Sequence, residues 1–312
     1  MKRSIYMLAA LWLVTLASCS KDEDLSPAEI PVDYTLPQGD ASKEDNDRIE
    51  ALYKQYGSYF LYNISQEDYQ WTPSSGSGTA GQDSIVLGDP KYVGKMLDFL
   101  DDIWLKYLSE DLKKGPGLPY RVMMVDSIKQ LRPGDNPPEY RYNVFPYKIK
   151  DKAIVFAGMN ASLENSTAES RIKGRNSLLP AILNYYVENN IVQVPQAFYD
   201  LTDYETLPLP AGETTTSSPE NLAIFRNRGF LPIVNVYNGA VLSTPEWYFG
   251  DYSWVMARAN DLPSYIGQLS LRTDAELAEF APYPLIQQKF QLLIDAFNKV
   301  GIDIRAMAND DK

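Results

Sequence analysis

Apolar residues recur along this chain with a helical period in four places. Ile49, Leu52, Tyr53 and Tyr56 fall at i, i+3, i+4 and i+7, which predicts an amphipathic helix from Asp45 that Gly57 stops. Residues 89–113 carry Val93, Met96, Leu97, Leu100, Trp104 and Leu108 on one stripe and predict a single long helix, ended by Gly115-Pro116-Gly117. Leu179, Ile182, Leu183 and Tyr186 predict a third helix, and Ile286, Phe290, Leu293, Phe297 and Val300 a last one. Between them, residues 121–128 and 153–158 are short apolar runs that read as buried strands. Residues 72–84, 132–138 and 208–219 are rich in turn residues and read as loops or breaks. No segment repeats. Helices at both ends of a modest sheet predict one α+β domain over residues 45–312, with helices packed on a small mixed sheet.

The first residues follow a different logic. Met1-Lys2-Arg3 precedes an apolar run over residues 5–16 that is too short to span a bilayer. The run closes on Leu16-Ala17-Ser18-Cys19, which resembles a bacterial lipobox. This predicts a signal peptide over residues 1–18 and a lipid on the Cys19 thiol, which would become the first residue of the mature chain. Acyl chains anchor a protein to the bilayer without spanning it, each buried methylene adding about 0.8 kcal/mol. Residues 19–44 are polar and acidic, with Pro27, Pro31 and Pro37, and predict a flexible tether. The Lys21-Asp22-Glu23-Asp24 run within it resembles the export signal of Bacteroidota surface lipoproteins. The expected location is the outer membrane, lipid-anchored and facing the exterior.

Composition narrows the chemistry sharply. The chain has no histidine, and Cys19 is its only cysteine. Histidine is the usual proton shuttle near neutral pH and a common metal ligand, and cysteine is the main thiol nucleophile. Disulfides within the chain are excluded. Removing Lys2 and Arg3 with the leader takes the formal net charge from -12 to -14. No nucleic-acid partner is expected, because binding a phosphate backbone needs clustered Lys and Arg. A 45% hydrophobic composition is ample for a packed core.

Several segments, in order, carry a family resemblance. They are Phe60-Leu61-Tyr62-Asn63, Tyr69-Gln70-Trp71, Val125-Asp126-Ser127-Ile128, Ile154-Val155-Phe156, Val194-Pro195-Gln196-Ala197-Phe198, Asp203-Tyr204, Arg228-Gly229-Phe230 and Gly301-Ile302-Asp303-Ile304. Together the order resembles Bacteroidota substrate-import-associated zinc metallohydrolase lipoproteins, which look like zincin-fold metallopeptidases. The resemblance implies a zincin-like α+β domain and a place beside SusC/SusD-type TonB-dependent uptake systems. It also implies a His-Glu-x-x-His helix, whose histidines at i and i+4 bind zinc while the glutamate acts on the metal-bound water. Here the matching positions are Ser177, Leu178 and Ala181, and Pro180 suggests that the helix starts late. A later acidic segment of the family resembles Gly250-Asp251-Tyr252-Ser253-Trp254, which keeps only Asp251. No zinc or other cofactor is expected.

Other chemistry leaves fainter traces. Asp101-Asp102 and Glu110-Asp111 read as solvated helix faces rather than a catalytic carboxylate pair, and Asp45-Asn46-Asp47 as a helix N-terminus rather than a calcium loop. Trp104 and Tyr107 read as core. The aromatic cluster of Trp247, Tyr248, Tyr252 and Trp254 offers candidate ligand-binding residues, since exposed rings bind sugars and peptides. Asp83-Ser84-Ile85, placed in a loop, and Asp126-Ser127-Ile128, placed in a strand, resemble Bacteroidota O-glycosylation sequons. The expectation is a non-catalytic surface lipoprotein that binds a peptide or glycan, with a SusC/SusD-type transporter as candidate partner. The alternatives are a carboxylate-dependent, glycosidase-like hydrolase and a structural or adhesin-like surface protein.

Overall fold

The computed structural model describes residues 34–69, 83–150, 152–206, 219–231, 234–237, 240–243 and 257–310. The segment expected to be a signal peptide, and Cys19, lie outside them. The compact unit begins at Leu36, not Asp45. The segment read as tether joins it through Gln38, whose side chain donates to Phe60 O at 2.6 Å and accepts from Tyr62 N at 2.9 Å.

Helix α1 (Lys43–Tyr56) is capped by Ser42, whose hydroxyl accepts from Asp45 N at 3.0 Å. Asp45, Asn46 and Asp47 are therefore its first turns, as the sequence suggested. It ends at Gly57, whose φ of 71° suits a residue without Cβ. Strand β1 (Tyr59–Leu61) and the short α2 (Gln66–Tyr69) follow. Strand β2 (Asp83–Val86) occupies what the sequence placed in a loop, the Asp83-Ser84-Ile85 triplet included.

The long helix expected over residues 89–113 is broken. A 3-10 turn leads into α3 (Val93–Ile103), and a second 3-10 turn and Ser109 precede α4 (Glu110–Lys114). The chain leaves helical geometry at Trp104 (φ -139°, ψ -64°). Its indole is fully buried and donates to Tyr186 Oη at 2.7 Å. A buried indole N–H needs such a partner, and Tyr186 passes the chain of bonds on to Gly117 O at 2.9 Å. Ser109 then caps α4 by accepting from Leu112 N. Tyr107 is only partly buried, and its hydroxyl reaches Asp310.

The strands β3 (Arg121–Val125), β4 (Ser127–Leu131), β5 (Tyr142–Phe145), β6 (Tyr147–Lys150) and β7 (Ala153–Ala157) make two sheets. The larger has the order β1-β3-β7-β6, with β1, β3 and β7 parallel and β6 antiparallel to β7. Its inner strands β3 and β7 are almost wholly buried, as parallel strands covered on both faces are. The smaller has the antiparallel order β2-β4-β5. The two sheets share their chains. Residues 121–131 pass from one to the other at Asp126, and residues 142–150 do so at Pro146. Strand β7 lies between β3 and β6 and stops at Ala157. Beyond that point the flanking chains close and pair with each other as β4 and β5, Ile128 opposite Phe145. The fork is sealed by Ala157 N to Pro146 O, Gly158 N to Asp126 O and Met159 N to Val125 O, at 2.9, 2.9 and 3.0 Å.

Helix α5 (Ala168–Glu188) follows β7, then α6 (Gln196–Asp200), α7 (Pro219–Asn227), the β8 (Val234–Tyr237) and β9 (Ala240–Ser243) ribbon, α8 (Ala257–Leu271), α9 (Asp274–Leu277), α10 (Pro284–Val300) and α11 (Ile304–Asn309). The main core joins β3 and β7 to α3, α5, α8 and α10. The architecture is α+β, as the sequence predicted.

A fully buried ion pair sits inside this helical half. Lys289 of α10 is completely buried and meets Asp261 Oδ2 of α8 at 2.5 Å, Thr202 Oγ1 at 2.7 Å and Gly229 O at 3.3 Å. Tyr204 donates to the same Asp261 oxygen, and the Phe198 and Tyr265 rings face the ammonium at 4.5 and 4.9 Å. Burial pushes the Asp261 carboxyl up and the Lys289 ammonium down, against their mutual attraction. Such a pair stabilises little by itself, but either half alone is an uncompensated buried charge. Lys289→Met is therefore expected to cost about 3–5 kcal/mol in urea unfolding, and the Lys289→Met, Asp261→Leu double variant to recover most of that loss. Equal, additive losses in the double variant would contradict the pairing.

Candidate functional site

Helix α5 carries the positions where the resemblance implies metal ligands. It begins earlier than expected, at a capping box in which Thr167 Oγ1 accepts from Ser170 N and Ser170 Oγ from Thr167 N. Pro180 consequently lies deep inside the helix, not in its first turn. Proline has no N–H to give to the carbonyl four residues back. The helix continues through it, and Asn184 Nδ2 donates to Pro180 O at 2.7 Å. Upstream, the buried Arg175 donates to Met307 O at 3.1 Å and to Asp310 O at 2.5 Å. This fastens the helix to the end of α11.

A cleft of about 880 Å³ opens between α5 and the chain of residues 142–150, at the fork of the two sheets. Ser177, Pro180 and Ala181 form its helical wall, and Pro146 and Tyr147 belong to the strand wall. Asp126, Ser127 and Gly158 line it at the fork. Ser177 and Ala181, one turn apart, thus share the cleft wall. Leu178 does not join them. It is buried and lines an adjoining pocket of about 310 Å³ with Met96, Phe99 and Leu163. The two spaces share Pro146, Ala157, Gly158 and Ser177.

These residues do not fit zinc. Ser177 offers a neutral hydroxyl that already donates to Lys173 O at 3.0 Å, Ala181 a methyl group and Leu178 an alkyl chain. Among the described residues no three of His, Cys, Asp and Glu come together as a metal cluster. The cleft is instead lined by apolar surface with a few convergent polar groups. Asp126 Oδ1 accepts from Asn160 Nδ2 at 2.7 Å. Ser127 Oγ is buried and has no hydrogen-bond partner among the described residues. Lys148 is drawn away from them, its ammonium 3.3 Å from Asp83 Oδ2 and 3.5 Å from the centre of the Phe145 ring. Burial, helped by Glu188, pushes the Tyr147 hydroxyl up and keeps it neutral.

The aromatic cluster of Trp247, Tyr248, Tyr252 and Trp254, together with Asp251, lies outside the described residues. Asp101 is exposed as expected, whereas Asp102 is half-buried in ion pairs with Lys106 and Arg171. Sequence marked Asp126 and Ser127 only as part of a family-like segment and a sequon-like triplet, and Pro146 not at all. The available signal was a lone carboxylate interrupting an apolar run at residue 126, and a proline interrupting an alternating one at 146.

No family model matches the chain, and no curated protein matches it. A solved structure from Bacteroides caccae, named "putative zinc-binding metallo-peptidase", is similar at 12% identity and a TM-score of 0.46, covering 87% of this chain and 95% of that one. A likeness this remote bears on neither site nor activity.

The proline gives the site a direct test. Pro180→Ala restores a backbone donor in mid-helix and should raise unfolding stability by about 1–3 kcal/mol, read from urea midpoints. A loss of stability would mean that the surroundings require the proline ring at this position.

Proposed function

We propose that this protein is a non-catalytic, lipid-anchored surface protein on a metallohydrolase-like scaffold, and that its cleft binds an extended peptide. The observation that carries the reading is the placement of Ser177 and Ala181. They stand together on the cleft wall, where the resemblance implies zinc ligands, and a chain without histidine has nothing to put in their place.

The opposite wall supports a peptide as occupant. Residues 142–150 form the terminal strand of both sheets, so one side of their backbone has no partner among the described strands. At about 3.3 Å per residue this edge is roughly 30 Å long. Extended peptides add to such edges through main-chain hydrogen bonds, with pockets for alternate side chains. The other edge of the larger sheet, β1, is instead covered by the Gln38 side chain. Val144, 64% exposed, adds apolar surface at the mouth. Asp126 is the sole carboxylate among the described residues lining the cleft, which favours binding over hydrolysis by a carboxylate pair. The anchor at Cys19, the outer-membrane location and service to a SusC/SusD-type transporter belong to the same proposal, resting on the lipobox and the acidic run after it.

The test is selection from a randomised decapeptide library, run beside metal analysis and peptidase assays on the same protein. Wild type should enrich extended peptides, Ser177→Trp should lower that enrichment at least about tenfold by filling the cleft, and zinc should be far below one per chain. Stoichiometric zinc with chelator-sensitive hydrolysis would overturn the reading.

A further inference from the structure

The cleft contains a charge that nothing described in the molecule neutralises. Asp126 sits at the fork, where its backbone is pinned on both sides. Its N–H donates to Val86 O and its carbonyl accepts from Gly158 N, both at 2.9 Å. The side chain is held as well. Asn160 donates to Oδ1 at 2.7 Å and is itself fixed, because its own Oδ1 accepts from Ser162 N at 2.9 Å. The carboxylate is half-buried, and among the described residues no Lys or Arg forms an ion pair with it. The basic residue lining the same cleft, Lys148, is committed to Asp83 and to the Phe145 ring. Next to Asp126, the buried Ser127 hydroxyl has no hydrogen-bond partner among the described residues. A rigid, half-desolvated carboxylate facing a cavity complements a ligand that brings donors and positive charge.

We infer that the cleft recognises a cationic amine of its peptide, held against the Asp126 carboxylate. This rests on the peptide-binding reading above and names the feature of the ligand that the site selects. Two sources can supply an ammonium, the free amino terminus and a lysine side chain. Because the carboxylate is fixed before the ligand arrives, little ordering is lost on binding, and the contact contributes to selectivity rather than only to encounter rate.

Three probes separate the possibilities, titrated calorimetrically into the full mature domain. The first is an octapeptide of alternating valine and serine, amidated at its carboxyl end and free at its amino terminus. The second is its N-acetyl form. The third is the N-acetyl form with one central lysine. The free or the lysine-bearing peptide is expected to bind about tenfold or more tightly than the neutral one, as a charge-assisted hydrogen bond implies. Whichever is preferred assigns the source of the amine. Asp126→Asn, which keeps the size of the side chain, should abolish that preference, so that the three probes bind alike. Equal binding of all three probes to wild type, or a preference that survives Asp126→Asn, would overturn the inference and leave peptide binding standing. Failure of all three to bind would remove the peptide reading itself. The wild-type comparison needs no variant, so a poorly folding Asp126→Asn does not blunt it.

Discussion

A strand can hold its neighbours apart only for as long as it runs. Strand β7 separates the chains of residues 121–131 and 142–150 for five residues and then stops. Past Ala157 those chains have unpaired backbone groups facing each other across the gap, and they satisfy them by pairing directly. The larger sheet therefore becomes the smaller one without a chain break, and the junction residues Asp126 and Pro146 are brought to one place. The cleft is the space this junction leaves against α5. Its position follows from the length of β7, and its rigidity from the hydrogen bonds that seal the fork.

Helix α5 turns this geometry into a site. Its first half is held by the Thr167 capping box and by Arg175, which reaches the carbonyls of Met307 and Asp310. The Tyr186 hydroxyl joins it to Trp104 and Gly117. Ser177, Pro180 and Ala181 are thus presented on a fixed wall, and what they present is a hydroxyl, a ring and a methyl. Such a surface offers contacts for a ligand, the basis of the proposal that the cleft binds rather than cleaves. The charge that matters comes from the other side, from Asp126 at the fork.

Much of the architecture was legible because it is written as period. The apolar stripes of α1, α5 and α10, and the buried runs of β3 and β7, all lie where their residues predict. The break in residues 89–113 was not, because a stripe keeps its period across a kink. The local signs were Ser109 before Glu110 and Asp111, a helix start that the stripe overrode. Strands β5 and β6 were hidden because Pro146 divides them and each is short. Strand β2 was hidden among turn residues, since its partner lies some forty positions away. Buried Lys289 was invisible for another reason. It sits beside the Ile286 and Phe290 stripe, and only the fold reveals Asp261 opposite it. In the site, Ser177 and Ala181 were found through resemblance, while Asp126 needed the fork to acquire meaning.

The central claim is that the unpartnered edge of residues 142–150, and not a metal, is what the cleft offers a ligand. Amide hydrogen exchange of the full mature domain, with and without a saturating library-selected peptide, tests it most directly. The account predicts slower exchange confined to amides of residues 142–150 and the facing turns of α5, with β1 unchanged. Protection that falls elsewhere, or an edge that exchanges at the same rate with peptide bound, would contradict it.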